Sequence, residues 1–386
     1  MERTKQEGLN ALVAKRIAEK LARGEDNANA TIERLSNEAK ISRDYLIDVG
    51  TKRKGEPFTV IDFKPLPKAK LGGVFSIKEG EKIVKKEFAI NPYAIRQVAD
   101  KLSIPGTYLT SLIMGSEWQQ TLAYQILNTH NGWTDRNRIM IRTVGNEVRA
   151  FLSDQFRRLD SELIFGSHIK AVYDAGGQVS DGYMDDTSVM VESLLPTPIK
   201  IKTENNGEIW LAFGERIQTS DYGAGKLKLW QFIMQGVCLN GMVRNEVVKE
   251  RHLGGRISES LKLSDETYRS DSTTTALAVR DLTKQLYADA SIKERMLEIK
   301  AATDQIIDPS RELAELFRTG KLLKGEVESV GELLMKNSVR DGLFGEATLW
   351  KFTQALTAHA NNETVAKTRA LELQEIAGDL FNRIKN

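Results

Sequence analysis

The chain has 386 residues, of which 41% are hydrophobic and 28% charged, and its formal net charge is only +2. These are the proportions of an ordinary globular protein with room for two or three domains, and no apolar run approaches the ~20 residues of a bilayer span. The single cysteine, Cys238, excludes an intrachain disulfide framework and suits a reducing compartment; the N-terminal stretch has no signal-peptide core, so a cytoplasmic protein with no membrane partner is expected.

At the N-terminus, Leu9, Leu12, Val13, Ile17 and Leu21, then Ile32, Leu35 and Ala39, recur at helical spacing. The polar stretch Asn27–Thr31 between the two groups predicts a break, hence two helices. A basic linker, TKRKGEPF (Thr51–Phe58), follows. GGVFSIKEGEKIVKKEFAI alternates around Glu79-Gly80 and predicts a hairpin. NPYAIRQVADKLSIPGTYLTSLI predicts a helix begun by Asn91 with Pro92 at its first position, stopped near Pro105 and followed by a second short helix. RIMIRTVGNEVRAFLSD predicts a hairpin turning at Gly145-Asn146, and PIKIKTENNGEIWLAFGERIQTSD a third near Asn206-Gly207. From Leu261 onward the pattern is helical, divided by Pro309 and several glycines. The expected fold class is α+β, with a helical lead-in over 1–57, antiparallel hairpins with packed helices over 58–260, and a helical region over 261–386.

Candidate chemistry is sparse. DYGAGK (Asp221–Lys226) lacks the glycine spacing of a P-loop and no Ser or Thr follows its lysine; DAGG (Asp174–Gly177) is too short for a dinucleotide fingerprint. Both read as turns. Cys238 and His252 are the residue types of a nucleophilic pair, but Gly236, Val237, Leu239 and Met242 around the thiol suit a buried small hydrophobe. Asp181, Asp185 and Asp186 fall in one acidic loop, SDGYMDD, with Asp154 upstream. Such hard oxygen ligands serve a Mg²⁺-dependent nuclease, and a solvated acidic turn explains them as well. No metal, cofactor or catalytic set is assigned.

The basic residues are more suggestive. Arg136, Arg138 and Arg142 are in phase on a strand, Arg149, Arg157 and Arg158 follow, and Trp133 and Phe156 lie close by. Guanidiniums beside aromatic rings are the raw material of a single-strand groove, in which cations track phosphates and rings stack on bases. On that reading Arg142, Arg149, Arg157 and Arg158 contact phosphates, Trp133 and Phe156 offer stacking surfaces, and Arg251 and Arg256 extend the track. The other reading is that these arginines solvate a sheet face and pair with Glu147, Asp154 and Asp160. With a net charge of only +2, any nucleic-acid binding has to come from such a local patch.

Three stretches, INPYAIRQVADKLSIPGTYLTSLI, IRTVGNEVRAFLSDQFRRLDSELIF and VCLNGMV…RHLGG, resemble the phage/plasmid-like family of unknown function (domain of unknown function number nine hundred and thirty-two). ISRDYLIDVG before them is similar to its lead-in, so the resemblance spans about Ile41 to Gly255. Its most specific pieces are RAFLSDQFRRLD and CLNGM. Relatives tend to carry tyrosine where this chain has Phe156, which can stack or pack but has no hydroxyl. The resemblance implies a phage or mobile-element setting and supplies no catalytic residues. The resulting expectation is a non-enzymatic, homo-oligomeric protein that binds or anneals single-stranded DNA. The alternatives are a metal-dependent nuclease using Asp181, Asp185 and Asp186, and a phage assembly or anti-defence interaction protein.

Overall fold

The computed structural model describes residues 2–48, 61–66, 69–79, 81–132, 138–154, 156, 159–203, 207–235, 240–250, 264–340 and 346–381. Helix α1 (Glu2–Ile41) is a single helix, without the expected break at Asn27–Thr31. A buried stripe of Val13, Ile17, Leu21, Gly24, Ala28, Thr31 and Leu35 runs straight through that stretch at steps of three and four. Asn27 and Asn29 face outward, where each costs a helix only about 0.7 kcal/mol relative to alanine.

Strand β1 (Ser42–Asp48) follows directly, then β2 (Ile61–Leu66), β3 (Ala69–Glu79) and β4 (Lys82–Ile90). Three helices, α2 (Pro92–Lys101), α3 (Gly106–Met114) and α4 (Glu117–Gly132), precede the hairpin of β5 (Arg138–Val144) and β6 (Glu147–Ser153). The predicted hairpins form, closing at Glu79↔Lys82 and Val144↔Glu147. The latter turns through Gly145 at φ +56°, a left-handed conformation that suits glycine. Asn91 caps α2 as its sequence predicts, its side chain accepting from the Tyr93 amide with Pro92 in the first turn.

These six strands form one sheet in the order β1-β5-β6-β4-β3-β2. Only β4 and β6 run parallel, and they meet at just Ala89–Glu147 and Ile90–Val148. The two halves of the sheet curl toward each other, bringing the rings of Tyr45 and Phe88 to 6.1 Å. Helices α2 to α4 close the space, and Phe63, Phe75, Phe88, Ile95, Leu109, Leu127, Ile141 and Phe151 fill the core.

The outer edge of β2 is occupied by side-chain amides. Asn128 of α4 accepts from the Phe63 amide at 2.8 Å and donates to the Phe63 carbonyl at 3.0 Å, as a neighbouring strand would. Asn131 donates to the Ile61 carbonyl at 2.9 Å, and Pro65 brings no N–H. Asn128→Ala leaves two backbone groups without partners and should lower stability by about 1–3 kcal/mol in chemical unfolding. It should also free the edge, which light scattering would register as concentration-dependent association.

The second half of the chain contributes α5 (Ser161–Asp174), β7 (Gln178–Met184), β8 (Val189–Leu194), β9 (Ile199–Thr203), β10 (Gly207–Thr219), β11 (Leu227–Gln235) and β12 (Asn240–Glu250). Helices α6 (Asp265–Leu286), α7 (Asp289–Asp304), α8 (Pro309–Arg318), α9 (Lys324–Arg340), α10 (Leu349–Ala360) and α11 (Lys367–Phe381) complete it. The strands order as β12-β11-β10-β8-β7, with β9 pairing the first half of β10. Alternation along β10 divides its two faces. Ile209, Leu211, Phe213 and Ile217 pack under α5 to α11, whereas Trp210 and Ala212 pack with Trp230 and Phe232 under Val13, Ile17 and Leu21 of α1. On the α1 side, the buried Arg216 guanidinium donates to Glu192 at 2.7 Å and to the side chain of Gln374, and Lys20 reaches Glu192 at 3.3 Å. Those contacts tie α1 and α11 to one sheet. The cores therefore run across the divisions drawn at 57/58 and 260/261.

Edge strand β7 is covered by α1 at very short range. A Cβ on Gly24 would stand 1.7 Å from the Ser180 carbonyl oxygen, and one on Gly182 would stand 2.6 Å from the Ala28 Cα. Arg34 of α1 donates to the Met184 carbonyl at 3.0 Å, so the helix also takes up a backbone group at that edge.

Candidate functional site

The two sheets meet along a charged seam. Arg142 of β5 and Asp44 of β1 are direct cross-strand partners, and the guanidinium grips both carboxylate oxygens, Nε to Oδ1 at 2.8 Å and Nη2 to Oδ2 at 2.9 Å. Its remaining nitrogen, Nη1, donates to the Asp221 carbonyl at 3.0 Å, in the turn between β10 and β11. Asp221 also accepts from the buried Ser161 hydroxyl at 2.5 Å. Burial pushes the Asp221 carboxyl up to about 6, against the downward pull of Arg142 and Ser161.

Arg149 of β6 anchors the next step along the seam. Its Nη2 donates to Asp186 at 3.0 Å, its Nη1 lies 3.8 Å from Glu38 and 3.7 Å from Glu147, and its guanidinium stacks 5.0 Å above the Tyr222 ring. Arg34 of α1 reaches the same Asp186 oxygen at 3.1 Å, and Asn91 donates to the other oxygen at 3.2 Å. Tyr222 donates to Glu38 at 2.7 Å, and burial, together with that carboxylate, pushes its hydroxyl pKa up. The Gln97 amide joins both sheets, accepting from the Phe151 amide at 2.9 Å and donating to the Tyr222 carbonyl at 2.8 Å.

This geometry corrects the expected roles of Arg142 and Arg149. They are 7% and 6% exposed, and both guanidiniums are held by carboxylates, so neither presents a surface to phosphates. Of the nearby acids that the other reading named, Glu147 pairs with Arg149 at 3.7 Å, second to Asp186 at 3.0 Å, whereas Arg142 is held by Asp44 and Asp221. Phe156 is half-buried against the cluster of Met140, Ala150, Leu152 and Tyr222, where it packs. Trp133, Arg157, Arg158, Arg251 and Arg256 lie outside the described residues, as do Cys238 and His252.

The acidic cluster is likewise committed. Asp181 belongs to β7, not to a loop, and pairs with Lys367 at 2.6 Å and Asn27 at 3.1 Å. Asp185 holds its own turn, accepting from the amides of Thr187 and Ser188 and from the Thr187 hydroxyl. Burial alone would push its carboxyl up; the hydrogen bonds from Thr187, Ser188 and Tyr183 outweigh that and hold it below the ordinary carboxylate range. Asp186 is taken by Arg34, Arg149 and Asn91. Among the described residues no group of three or more His, Cys, Asp or Glu side chains is placed to hold a metal ion. The glycine-rich stretch Asp221–Lys226 is a turn leading into β11, with Gly223 at φ +78°, and Gly176 at φ +80° ends α5. No helix among the described residues is long and apolar enough to cross a membrane.

Neither a family model, nor a curated protein, nor a solved structure matches the chain.

What the fold does gather is the ends of the basic connections. Asp48 pairs with Arg138 in register, and Ile139 pairs with Ser153. Asp48, Arg138 and Ser153 thus lie side by side at one end of the first sheet, and in the sequence they border segments 49–60, 133–137 and 155–158. Segment 251–263 departs from Glu250, whose partner Leu227 shares a core with Leu159. Together these segments hold Lys52, Arg53, Lys54, Arg136, Arg157, Arg158, Arg251, Arg256 and Lys262 against Glu56, Asp135 and Glu259. Their excess of cations is larger than the net +2 of the whole chain, so the remainder is net acidic.

Proposed function

We propose that this is a non-catalytic protein of a phage or other mobile element that binds single-stranded DNA through the basic residues of the connections between its strands. The observation that carries the proposal is the side-by-side placement of Asp48, Arg138 and Ser153, from which cation-rich segments depart. A local cationic surface on an otherwise acidic chain attracts a polyanion to one place and repels it elsewhere. Arg157 and Arg158, with Arg251 and Arg256, are the phosphate-contacting residues of this reading, and Trp133 is its stacking surface. The mobile-element setting comes from the sequence resemblance. Self-association belongs to the same reading, and the helical tail, with Leu297, Leu323 and Met335 largely exposed, is the surface assigned to it.

One observation favours the interaction-protein alternative: Arg142 and Arg149, two of the four arginines first expected to contact phosphates, are internal braces. The nuclease alternative has less behind it, because each aspartate it needs is held by a cation or by its own turn.

Fluorescence anisotropy with a labelled single-stranded oligonucleotide, titrated with salt, separates these readings. Each phosphate contact on a single strand adds about −0.7 to the slope of log K against log salt, so Arg157→Ala/Arg158→Ala should flatten the slope by about 1.4. Lys85→Ala, on an exposed position of β4, should leave it unchanged. If the intact chain fails to bind even at low salt, the DNA reading is wrong and the interaction reading stands.

A further inference from the structure

A band of polar residues crosses the second sheet on the face covered by α5 and α6. Glu215 at the middle of β10 is flanked by its cross-strand partners, Ser193 of β8 and Gln231 of β11. Along that face Phe213 and Ile233 belong to the core under the C-terminal helices, while Ile217 and Leu229 belong to the core under α5 and α6. The three polar residues therefore mark the line between two apolar cores, and all are at most 2% exposed.

The helices complete the band. His168 of α5 places Nδ1 2.9 Å from the Thr283 hydroxyl of α6 and 3.5 Å from Glu215 Oε2. Tyr287, just after α6, meets the Ser193 hydroxyl at 2.8 Å, and Ser193 lies 3.3 Å from the Glu215 carbonyl. Thr283 has a single proton to offer to both His168 and Glu215. Otherwise the carboxyl finds no donor: Glu215 Oε1 and Oε2, Gln231 Oε1 and His168 Nε2 are buried without a hydrogen-bond partner among the described residues. Among the described residues the groups facing Glu215 are Ser193, Gln231, His168, Thr283 and Tyr287, with no lysine or arginine in the set. Arg216 and Glu192 answer each other on the opposite face. A bare carboxylate in such a place lacks both counter-charge and solvent.

We propose that Glu215 is a built-in proton site: it stays protonated at neutral pH beside a neutral His168, and giving up that proton loosens α6 from the sheet. Burial acts in the required direction on each group, pushing the Glu215 carboxyl well above the ordinary carboxylate range and the His168 imidazole down to about 3. Tyr287 is pushed upward by burial too and stays a hydroxyl. The two acidic and basic limbs oppose each other. His168 binds fewer protons folded than unfolded, so its contribution to stability grows from about pH 3 to about 6.5. Glu215 binds more protons folded than unfolded, so its contribution is complete at acid pH and is lost as pH rises above the usual carboxylate range. Above about 6.5 only the loss from Glu215 continues.

Infrared spectroscopy on the full chain at pH 8, above the titration of Asp221, provides the direct test. The expected result is a protonated-carboxyl carbonyl band in the wild type that Glu215→Gln removes. Raising the pH further should abolish the band in the wild type, together with protection of the 279–287 amides in hydrogen exchange. The stability of Glu215→Gln relative to the wild type should increase steadily from pH 5 to pH 9. Absence of the band at pH 8, or a Glu215→Gln variant that loses stability with rising pH as the wild type does, would overturn the proposal. Should the variant not fold, the wild-type band and the exchange of α6 still decide it, since the two must be lost at the same pH.

Discussion

Arg142→Ala should lower stability by about 3–5 kcal/mol, measured by urea unfolding at pH 7, because it removes the buried cation that Asp44 and Asp221 share. The guanidinium also supplies three hydrogen bonds that no smaller side chain replaces. The loss should depend on pH with a definite sign. Without Arg142, the buried Asp221 carboxyl loses the charge that pulls its proton affinity down and binds its proton still more tightly folded than unfolded, so the variant gains relative stability as pH falls. Its deficit is widest at neutral pH and narrowest near pH 4. Arg142→Lys should recover only part of the loss, since an ammonium cannot grip both oxygens of Asp44 and still reach the Asp221 carbonyl. Arg142→Ala/Asp44→Asn should recover more, because it removes one of the two charges that the guanidinium answered. If Arg142→Ala unfolds at the same urea concentration as the wild type, the seam does not hold the two sheets together.

The second large effect is expected at Gly24. In an exposed helix a Gly→Ala change adds up to about 1 kcal/mol of stability. Here the new methyl would meet the Ser180 carbonyl oxygen at 1.7 Å and its carbon at 2.2 Å, and both are backbone atoms that cannot swing aside. Helix α1 has to lift from β7, which strains the Asn27–Asp181 and Arg34–Met184 hydrogen bonds. Gly24→Ala should therefore cost about 3 kcal/mol, the upper end of ordinary overpacking. Gly166 of α5 is the matched control: it is exposed, and a Cβ there meets nothing within 4 Å. Gly166→Ala should be more stable than the wild type by about 0.4–1 kcal/mol. Opposite signs for the same substitution would locate the close approach at α1 and β7; equal signs would remove it.

Much of the first sheet was legible in the sequence because its signals are local. Asn91-Pro92 starts a helix by side-chain and ring chemistry that needs no distant partner, and Gly145-Asn146 and Glu79-Gly80 sit where strands reverse. The second sheet was not, apart from the β9–β10 hairpin. Strand β11, LKLWQFIMQ, is buried on both faces, so no alternation of polar and apolar residues marks it. Strand β7, QVSDGYM, is polar because α1 supplies partners to it, and its Asp181 looked like part of a loop for that reason. The seam failed to show for a different cause. Arg142 and Asp44 are 98 residues apart, Arg142 and Asp221 are 79 apart, and only the sheet order brings them together.

The position of α1 bears on how the chain comes to be folded as it is made. Val13, Ile17 and Leu21 find their neighbours in Leu194, Trp210, Ala212, Trp230, Phe232 and Met234. A growing chain thus carries the apolar stripe of its first helix uncovered until roughly 200 more residues have been added. At ~5–20 residues per second that wait is on the order of 10–40 s. During it the stripe is open to other apolar surfaces, including the same stripe on a neighbouring nascent chain. Helix α11 reaches the same sheet only after all of its strands have been made, through Gln374 and Lys367. Helices α1 and α11 are therefore among the late contacts to close, and Val13 and Ile17 gain most of their neighbours only with β10 and β11.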